Sequence, residues 1–560
     1  MRTDGTVSEE KNVNLLYWSF FILTIIAVVF VRIRLLGIPL ERDEGEYAYM
    51  GQLISHGVIP YKEAYSMKLP GTAFMYYVIM SVFGHSINGI HLGLMAVNLA
   101  VLPALFQLSK RLINERAAIV ATASYAVISV SVPVLGFMAH ATHFVVFFAV
   151  WGVYSMVTGE KRKWLLAVSG LCLGMAFLMK QHGVFFIFFA VAYLFFVRDR
   201  LKTFVIDGLV LAVMSVVPFA LTIFIMYRGG VFANFWFWCF TYSGKYVSRL
   251  SLMDGLSVFK IMVLTMIKHF TMFWILGVTG FLMLILAQIK FLPSRIDGKR
   301  LFILLFFIFS FLSITPGFYF REHYFVLVIP AISIAAAYCS EFLTGELIRK
   351  FQRRIFYVLP VAVLLLTMLF TFTVQGELYF KLSPEEVCRN IYGANPFVES
   401  VKIAEYLKSH VKEGDRIAIL GSEPQILFYS GIPSATGYIY MYGLMEDQPY
   451  NLQMQKGMAA EIEKVSPAFV VFVNVPASWL PDKHAPLYIF DWAKNYTEKN
   501  YVLTGVIDMI YYDNIVYKFD AEVFNYKPQS KYYVCIFKRN VFSNEKAEVD
   551  MNKKGGDGHE

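Results

Sequence analysis

The strongest constraint on this chain is a series of apolar runs bounded by charge, most of them near the roughly 20 residues that a helix needs to cross the ~30 Å hydrocarbon core of a bilayer. The runs lie at 15–36, 87–108, 117–135, 137–157, 164–179, 183–197, 204–227, 270–289, 301–315, 323–343 and 355–374. They predict a polytopic α-helical membrane protein with about eleven spans, or up to thirteen with re-entrant pieces. Of the 560 residues 57% are hydrophobic and only 16% charged, against about a quarter charged in soluble domains. That balance excludes a single soluble globule, a disordered chain and a disulfide-rich secreted scaffold. The first run is too long for a signal-peptide core and no small-residue cleavage site follows it, so it reads as a retained span.

Short basic loops resist translocation, so Lys and Arg report orientation. One alternating set of loops holds Lys110, Arg111 and Arg116; Lys161, Arg162 and Lys163; Arg198, Arg200 and Lys202; Lys290, Arg295, Lys299 and Arg300; Arg349, Lys350, Arg353 and Arg354. These are read as cytoplasmic. The N-terminus is then inside and everything after residue 374 outside, although Arg32, Arg34, Lys260 and Lys268 weaken the contrast. The net charge of +9 follows from those loops, and no nucleic-acid partner is expected.

The expected division is a transmembrane domain at 1–374 with a first outer loop at 37–86, a soluble α/β domain at 375–540 and a polar tail at 541–560. In the soluble part, strand-like runs at 416–420, 468–473 and 532–537 alternate with helical stretches at 396–410 and 451–465. Gly421-Ser422-Glu423-Pro424 follows a strand but lacks the further glycines of a dinucleotide fingerprint. The five cysteines have no metal-ligand spacing, and pairing of Cys388 with Cys535 is left open.

Ionisable side chains at membrane depth are costly, so a one-sided cluster marks function. In this topology the cluster is at the outer face. The first outer loop carries Arg42, Asp43, Glu44 and Glu46, then Lys62, Glu63 and Lys68; His140 and His143 open the fourth span, Lys180 and His182 sit between the fifth and sixth, and Arg321, Glu322, His323 and Tyr324 open the tenth. Asp43, Tyr47, Met50 and Ile54 fall on one helical stripe, predicting an amphipathic helix along the interface. Asp43 followed by Glu46 also fits a capping box, so spacing leaves capping and catalysis both open for Asp43. Lys68-Leu69-Pro70 opens a second, apolar helical piece. Lys180 lies in a turn too short to lift it into water, and Arg321 can hold a phosphate bidentately. His140 and His143 have no third metal ligand placed by sequence. No metal site is assigned: no cofactor is assured, and a divalent metal stays open but unsupported.

Arg42-Asp43-Glu44 after the first span, Lys68-Leu69-Pro70 some 25 residues on, and the Lys180 turn together resemble the polyprenyl-phosphate-sugar-dependent glycosyltransferases of the C-type fold. The resemblance is to family 39, which holds protein O-mannosyltransferases and lipid A aminoarabinose transferases. It implies a plasma-membrane enzyme, in bacteria the inner membrane, with Asp43 as catalytic base. It further implies Lys68 near the donor phosphate, Lys180 at the end of the fifth span, and Arg321, His323 and Tyr324 at the polar start of a late span lining the cavity. His143 and His182 are placed in the same lining. Two departures matter. The aminoarabinose enzymes resemble Glu-Lys-Pro where this chain has Met67-Lys68-Leu69-Pro70, and they have an acid where Thr142 or His143 falls, so donor sugar and metal preference do not transfer.

The chemistry agrees with the resemblance. Nucleotide sugars stay in the cytoplasm, so an outward-facing transferase needs a lipid-linked donor, and a polyprenyl-phosphate sugar is the expected partner beside the membrane lipids. Its phosphate leaves without a proton, so cations must stabilise it and a base must activate the acceptor hydroxyl. Asp43 is assigned as base with Glu44 as substitute, and Lys68, Lys180 and Arg321 as phosphate clamps. Direct attack on the anomeric carbon implies inversion, with a lipid, glycan or protein as acceptor. The aromatic loop around Phe235, Trp236, Trp238 and Tyr242 is either a carrier of the prenyl chain or an interfacial belt. A secondary transporter and a non-catalytic envelope glycan assembly protein are the alternatives; the first calls for repeated halves with broken helices, which the sequence lacks.

Overall fold

The computed structural model describes residues 4–159, 162–290, 297–511 and 514–540. The tail at 541–560, with Lys161 and Arg295, lies outside the described residues. The chain divides into two compact units. One holds the residues up to Gly37 and Met67–Pro384; the other holds Ile38–Ser66 and the residues from Glu385 on. The segment expected as one outer loop, 37–86, is therefore split between them, and 375–384 groups with the helical unit.

The helical unit contains α1 (Asp4–Arg34), α3 (Gly71–Phe83), α4 (Ile87–Leu112), α5 (Glu115–Ile128), α6 (Ala141–Thr158), α7 (Lys163–Met179), α8 (Val184–Val197) and α9 (Leu201–Arg228); the helix α2 (Arg42–Ser55) belongs to the other unit. Further long helices occupy Leu252–Lys290, Gly298–Leu312, Ile329–Phe351 and Leu359–Val374. Among the described residues, seven helices are long and apolar enough to cross a membrane: Asn12–Arg34, Ile87–Leu112, Ala141–Thr158, Leu201–Arg228, Leu252–Ala287, Ile329–Phe351 and Arg354–Val374. The chain is a multi-pass membrane protein.

The other four of the expected eleven are the shorter helices α5, α7, α8 and Gly298–Leu312, of 14, 17, 14 and 15 residues. At 1.5 Å per residue they rise roughly 21–26 Å, short of a full hydrocarbon thickness. They are short because turns interrupt the apolar runs, such as the 3-10 turns at Val132–Val134 and Gln181–Gly183. Side-chain caps set several starts: Ser86 accepts from the Gly89 N–H at 3.0 Å, and Asn114 from the Ala117 N–H at 2.9 Å. The run expected at 270–289 is the second half of a helix beginning at Leu252. The break between the halves is at Phe270 (φ −139°, ψ 37°), and Lys260 and Lys268, read as loop residues, sit on its exposed side. Asp207 on α9 is fully buried and pairs with Lys163 and, at 2.9 Å, with Arg198.

The second unit is built on a five-stranded sheet of order β1-β2-β5-β3-β4, with β1 (Ile417–Leu420), β2 (Phe469–Asn474), β3 (Tyr501–Tyr511), β4 (Asn514–Phe519) and β5 (Tyr533–Arg539). β1 and β2 are parallel, joined through the helix Asn451–Val465, and the other pairs are antiparallel. The expected strands became β1, β2 and β5, while the β3–β4 hairpin was not anticipated. Cys388 and Cys535 are both free thiols.

Residues 38–66 are integral to this unit. The Leu40 N–H donates to the Tyr429 hydroxyl (2.8 Å), the Ser434 N–H to the Tyr49 hydroxyl (2.9 Å) and the Tyr65 N–H to the Gly437 carbonyl (2.7 Å). α2 packs so closely on the helix Pro424–Ser430 that a Cβ on Gly45 would lie 2.6 Å from the Gln425 nitrogen. It is buried on most of its faces, so its apolar stripe packs against protein.

Candidate functional site

The acidic motif at the start of α2 resolves into separate jobs. The N-cap is Glu41, whose side chain accepts from the Glu44 N–H at 2.9 Å, while the Glu44 carboxylate accepts from the Glu41 N–H at 3.3 Å. The capping box is thus Glu41–Glu44, two residues earlier than the Asp43–Glu46 pair that fits the same spacing. Glu44 is fully buried and spends a carboxylate oxygen on the cap, which separates it from the substitute-base role expected of it. Burial, then the charges of Asp43 and Glu44, push the Glu41 carboxyl well above the ordinary carboxylate range. Asp43 is the partly exposed acid of the group, and its Oδ1 accepts a hydrogen bond from the Tyr440 hydroxyl at 3.0 Å. Burial, then the Asp43 charge, pushes the Tyr440 hydroxyl well above its usual value, so it remains a donor.

In the helical unit the expected cations gather around His323. Lys180 Nζ lies 3.5 Å from His323 Nε2 and 3.9 Å from the centre of the Tyr324 ring. Lys68 and Arg321 are near enough for their charges to act on the same imidazole. His140 stacks on His323 at 4.1 Å, and His182 meets Tyr324 edge-on at 4.7 Å. The Ser313 carbonyl, 2.6 Å from His182 Nδ1, fixes the proton there because a carbonyl only accepts.

Backbone contacts hold this cluster. Lys180 follows the last turn of α7 with an extended backbone (φ −160°, ψ 141°). Thr72 Oγ1 donates to the Met179 carbonyl at 2.7 Å, Gln181 Nε2 to the Met67 carbonyl at 3.2 Å, and the Tyr76 hydroxyl to the Ala139 carbonyl at 2.8 Å. A Cβ on Gly71 would sit 2.5 Å from the Leu178 carbonyl oxygen, so only glycine permits the approach. The segments carrying Lys68 and Lys180 are thereby locked to one another. Sequence reasoning missed Thr72, Tyr76 and Gln181; the available signal was Thr72 and Tyr76, four apart on one face after Pro70.

His143 adjoins this cluster through His140, near enough for the two imidazoles to act on one another. It is 1% exposed, with Nδ1 3.2 Å from Asn98 Oδ1, which also accepts from the Tyr125 hydroxyl at 3.2 Å. Three positions past His140, it is packed among buried neighbours. Of the aromatic loop, Phe235, Trp238 and Tyr242 are buried against neighbours and Trp236 is the exposed member. A separate apolar cavity of about 580 Å³ lies along the kinked helix, lined by Phe259, Met266, Trp274, Phe307, Phe325 and Val328 among others. Phe325 of its lining is two residues after His323.

Residues 67–223 match the family model described as "Dolichyl-phosphate-mannose-protein mannosyltransferase", a stretch that includes Lys68, Lys180 and His182 but neither Asp43 nor Arg321. No curated protein matches the chain by sequence. Among solved structures, ArnT from Cupriavidus metallidurans in the apo state is similar with a TM-score of 0.55 at 16% identity, over 93% of this chain and 97% of that one. The same protein bound to undecaprenyl phosphate gives 0.52 at 16% identity, over 82% and 93%. The archaeal oligosaccharyltransferase AglB from Archaeoglobus fulgidus, in complex with an inhibitory peptide and a dolichol-phosphate, gives 0.53 at 13% identity, over 92% and 75%. The chain has the C-type glycosyltransferase fold, as its resemblance implied.

Proposed function

We propose that this protein is a membrane glycosyltransferase that moves a sugar from a polyprenyl-phosphate donor to a hydroxyl acceptor at the outer face of the membrane, with inversion. The observation that carries the reading is the grouping of Lys68, Lys180 and Arg321 about His323. Such a set suits a phosphate with its negative charge, and the similar fold of a protein bound to undecaprenyl phosphate supports it. The apolar cavity beside Phe325 takes the prenyl chain.

In the proposed reaction the acceptor oxygen forms a bond to the anomeric carbon as the bond from that carbon to the phosphate oxygen breaks. Asp43 takes the hydroxyl proton, and the departing phosphate monoester keeps the bonding electron pair. Lys68, Lys180 and Arg321 stabilise that growing charge, a contribution of order 10²–10³ in rate for a well-placed donor. Glu44, held in the cap, serves the helix.

The test is release of polyprenyl phosphate by purified protein from a panel of labelled polyprenyl-phosphate sugars, with a membrane or cell-wall extract as acceptor. Release by wild type that Asp43→Asn abolishes is expected. Folded wild type that releases nothing from any donor would refute the reading.

A further inference from the structure

In open α/β sheets the crevice beyond the carboxyl ends of parallel strands is the customary ligand site. Here β1 runs into Gly421-Ser422-Glu423 and β2 into Val475-Pro476-Ala477. What fills this place is a side chain of the same unit, the guanidinium of Arg42 from the first turn of α2. Its Nε donates to the Ser422 carbonyl at 2.6 Å and its Nη1 to the Tyr442 hydroxyl at 2.9 Å. Its Nη2 donates to Asn395 Oδ1 at 3.0 Å and to Glu423 Oε1 at 2.8 Å.

Three of the acceptors are themselves fixed. The Tyr442 hydroxyl donates to the Ala477 carbonyl at 2.8 Å, which ties the clamp to the turn after β2. The Asn395 amide donates to the Tyr392 carbonyl at 2.6 Å, and Glu423 Oε2 accepts from Gln425 at 2.6 Å. The rings of Phe397 and Tyr442 lie 5.2 and 5.6 Å from the guanidinium carbon. Arg42 is 7% exposed and Glu423 is fully buried. The rigid fork of arginine suits four acceptors spread in this way, whereas an ammonium is a point charge. The next residue is Asp43, held by Tyr440, two positions before Tyr442.

We propose that Arg42 and Tyr440 are positioning residues, through which the α/β unit fixes the carboxylate of Asp43 by clamping one residue at its strand-end crevice and hydrogen bonding the next. This rests on Asp43 as the base of the proposed reaction. It gives the α/β unit a definite part in that chemistry: the place where such a sheet would take a ligand is given over to its own chain.

The test uses the full-length protein in detergent with two readouts, one independent of activity. In hydrogen exchange, Arg42→Lys speeds exchange of peptides covering 42–55 by about 10-fold or more, while peptides of β2 and β5 stay at the wild-type rate. Unchanged exchange at 42–55 overturns the clamp. In steady-state kinetics, Tyr440→Phe lowers kcat by roughly 10-fold or more with the donor KM within about twofold, because a misaimed base slows chemistry and leaves donor binding alone. An unchanged kcat, or a raised KM at constant kcat, overturns the positioning role. Wild type that turns over no donor, together with loosened 42–55 in Arg42→Lys, overturns Asp43 as a base and leaves the clamp standing. The two failures are therefore distinguishable.

Discussion

Gly71→Ala is the sharpest test of how the cations are held. The added Cβ would lie 2.5 Å from the Leu178 carbonyl oxygen, 2.6 Å from its carbon and 2.7 Å from Met179 Cε. The methionine methyl can swing away; the Leu178 backbone cannot, because it belongs to the last turn of α7. Ordinary contact begins near 3.4 Å, so the Lys68 segment and the Lys180 turn must part by roughly 0.9 Å, a displacement of the size that costs about 10²-fold in rate when reacting groups are misplaced. Overpacking of this kind costs about 1–3 kcal/mol in stability, which leaves the protein folded. The assay is donor-dependent release of polyprenyl phosphate with a melting curve on the same preparation. We expect kcat/KM for the donor to fall by about 10²-fold with a melting midpoint a few degrees lower. Wild-type turnover in Gly71→Ala would show that the close approach does not set the cations, and a protein that cannot be purified folded would show that the approach holds the unit together instead.

Three further outcomes follow from named contacts. Lys180→Met removes a cation from beside His323 and should lower kcat/KM for the donor by about 100-fold, read from initial rates across donor concentrations; a change confined to the acceptor KM would contradict a phosphate role. Asp207→Asn strips Arg198, whose side chain is 11% exposed, of its buried partner and should cost about 3–5 kcal/mol, whereas Lys163→Met, with Lys163 58% exposed, should cost under about 1 kcal/mol; equal losses in denaturant midpoint would count against the burial argument. Glu41 is raised by burial and by Asp43 and Glu44, so from the ordinary 4.5 upward the folded state keeps a proton that the unfolded chain has lost, and stability falls as pH climbs through that window. Glu41→Gln keeps an acceptor for the cap and should melt higher than wild type at pH 8, with the advantage gone by pH 4.5.

The spans were legible because a bilayer demands length and apolarity together, and every expected run contains a helix. What stayed hidden depends on distant partners. The β3–β4 hairpin escaped because Asp508 sits buried in the middle of β3, and nothing local shows that Tyr526 and the N–H groups of Gln529 and Ser530 satisfy it. Gly505, where the register with β5 shifts, further breaks the alternation that marks a strand. The capping box was displaced by two residues since Glu41–Glu44 and Asp43–Glu46 share one spacing, and only the extended backbone at Glu41 (φ −78°, ψ 177°) chooses between them. Of the candidate site, Lys68, Lys180, His182, Arg321, His323 and Tyr324 were expected at one face, and the structure brings them near one another, while the contact of His143 with Asn98 had no signal in the sequence. Arg42 was noticed as part of a motif but given no task, because its partners Asn395, Ser422, Glu423 and Tyr442 lie more than 350 residues away.

The two units brace their functional side chains in chemically different ways, and this decides which substitutions each tolerates. In the helical unit Thr72, Tyr76 and Gln181 donate to the backbone carbonyls of Met179, Ala139 and Met67. A carbonyl is present whatever side chain its residue carries, so Met67 and Met179 can change to other apolar residues of similar volume while the donors at 72, 76 and 181 cannot. In the α/β unit Arg42 relies on the side chains of Asn395, Glu423 and Tyr442 for three of its four bonds, so donor and acceptors are equally committed. Removing Glu423 there leaves a buried guanidinium short of its counter-charge, a loss in the range of about 3–5 kcal/mol. Removing the Thr72 hydroxyl strands one carbonyl, at about 1–3 kcal/mol. The acid is thus held by the costlier brace and the cations by several weaker ones, which is why single changes around Lys180 should grade activity whereas single changes around Arg42 should loosen α2 as a whole.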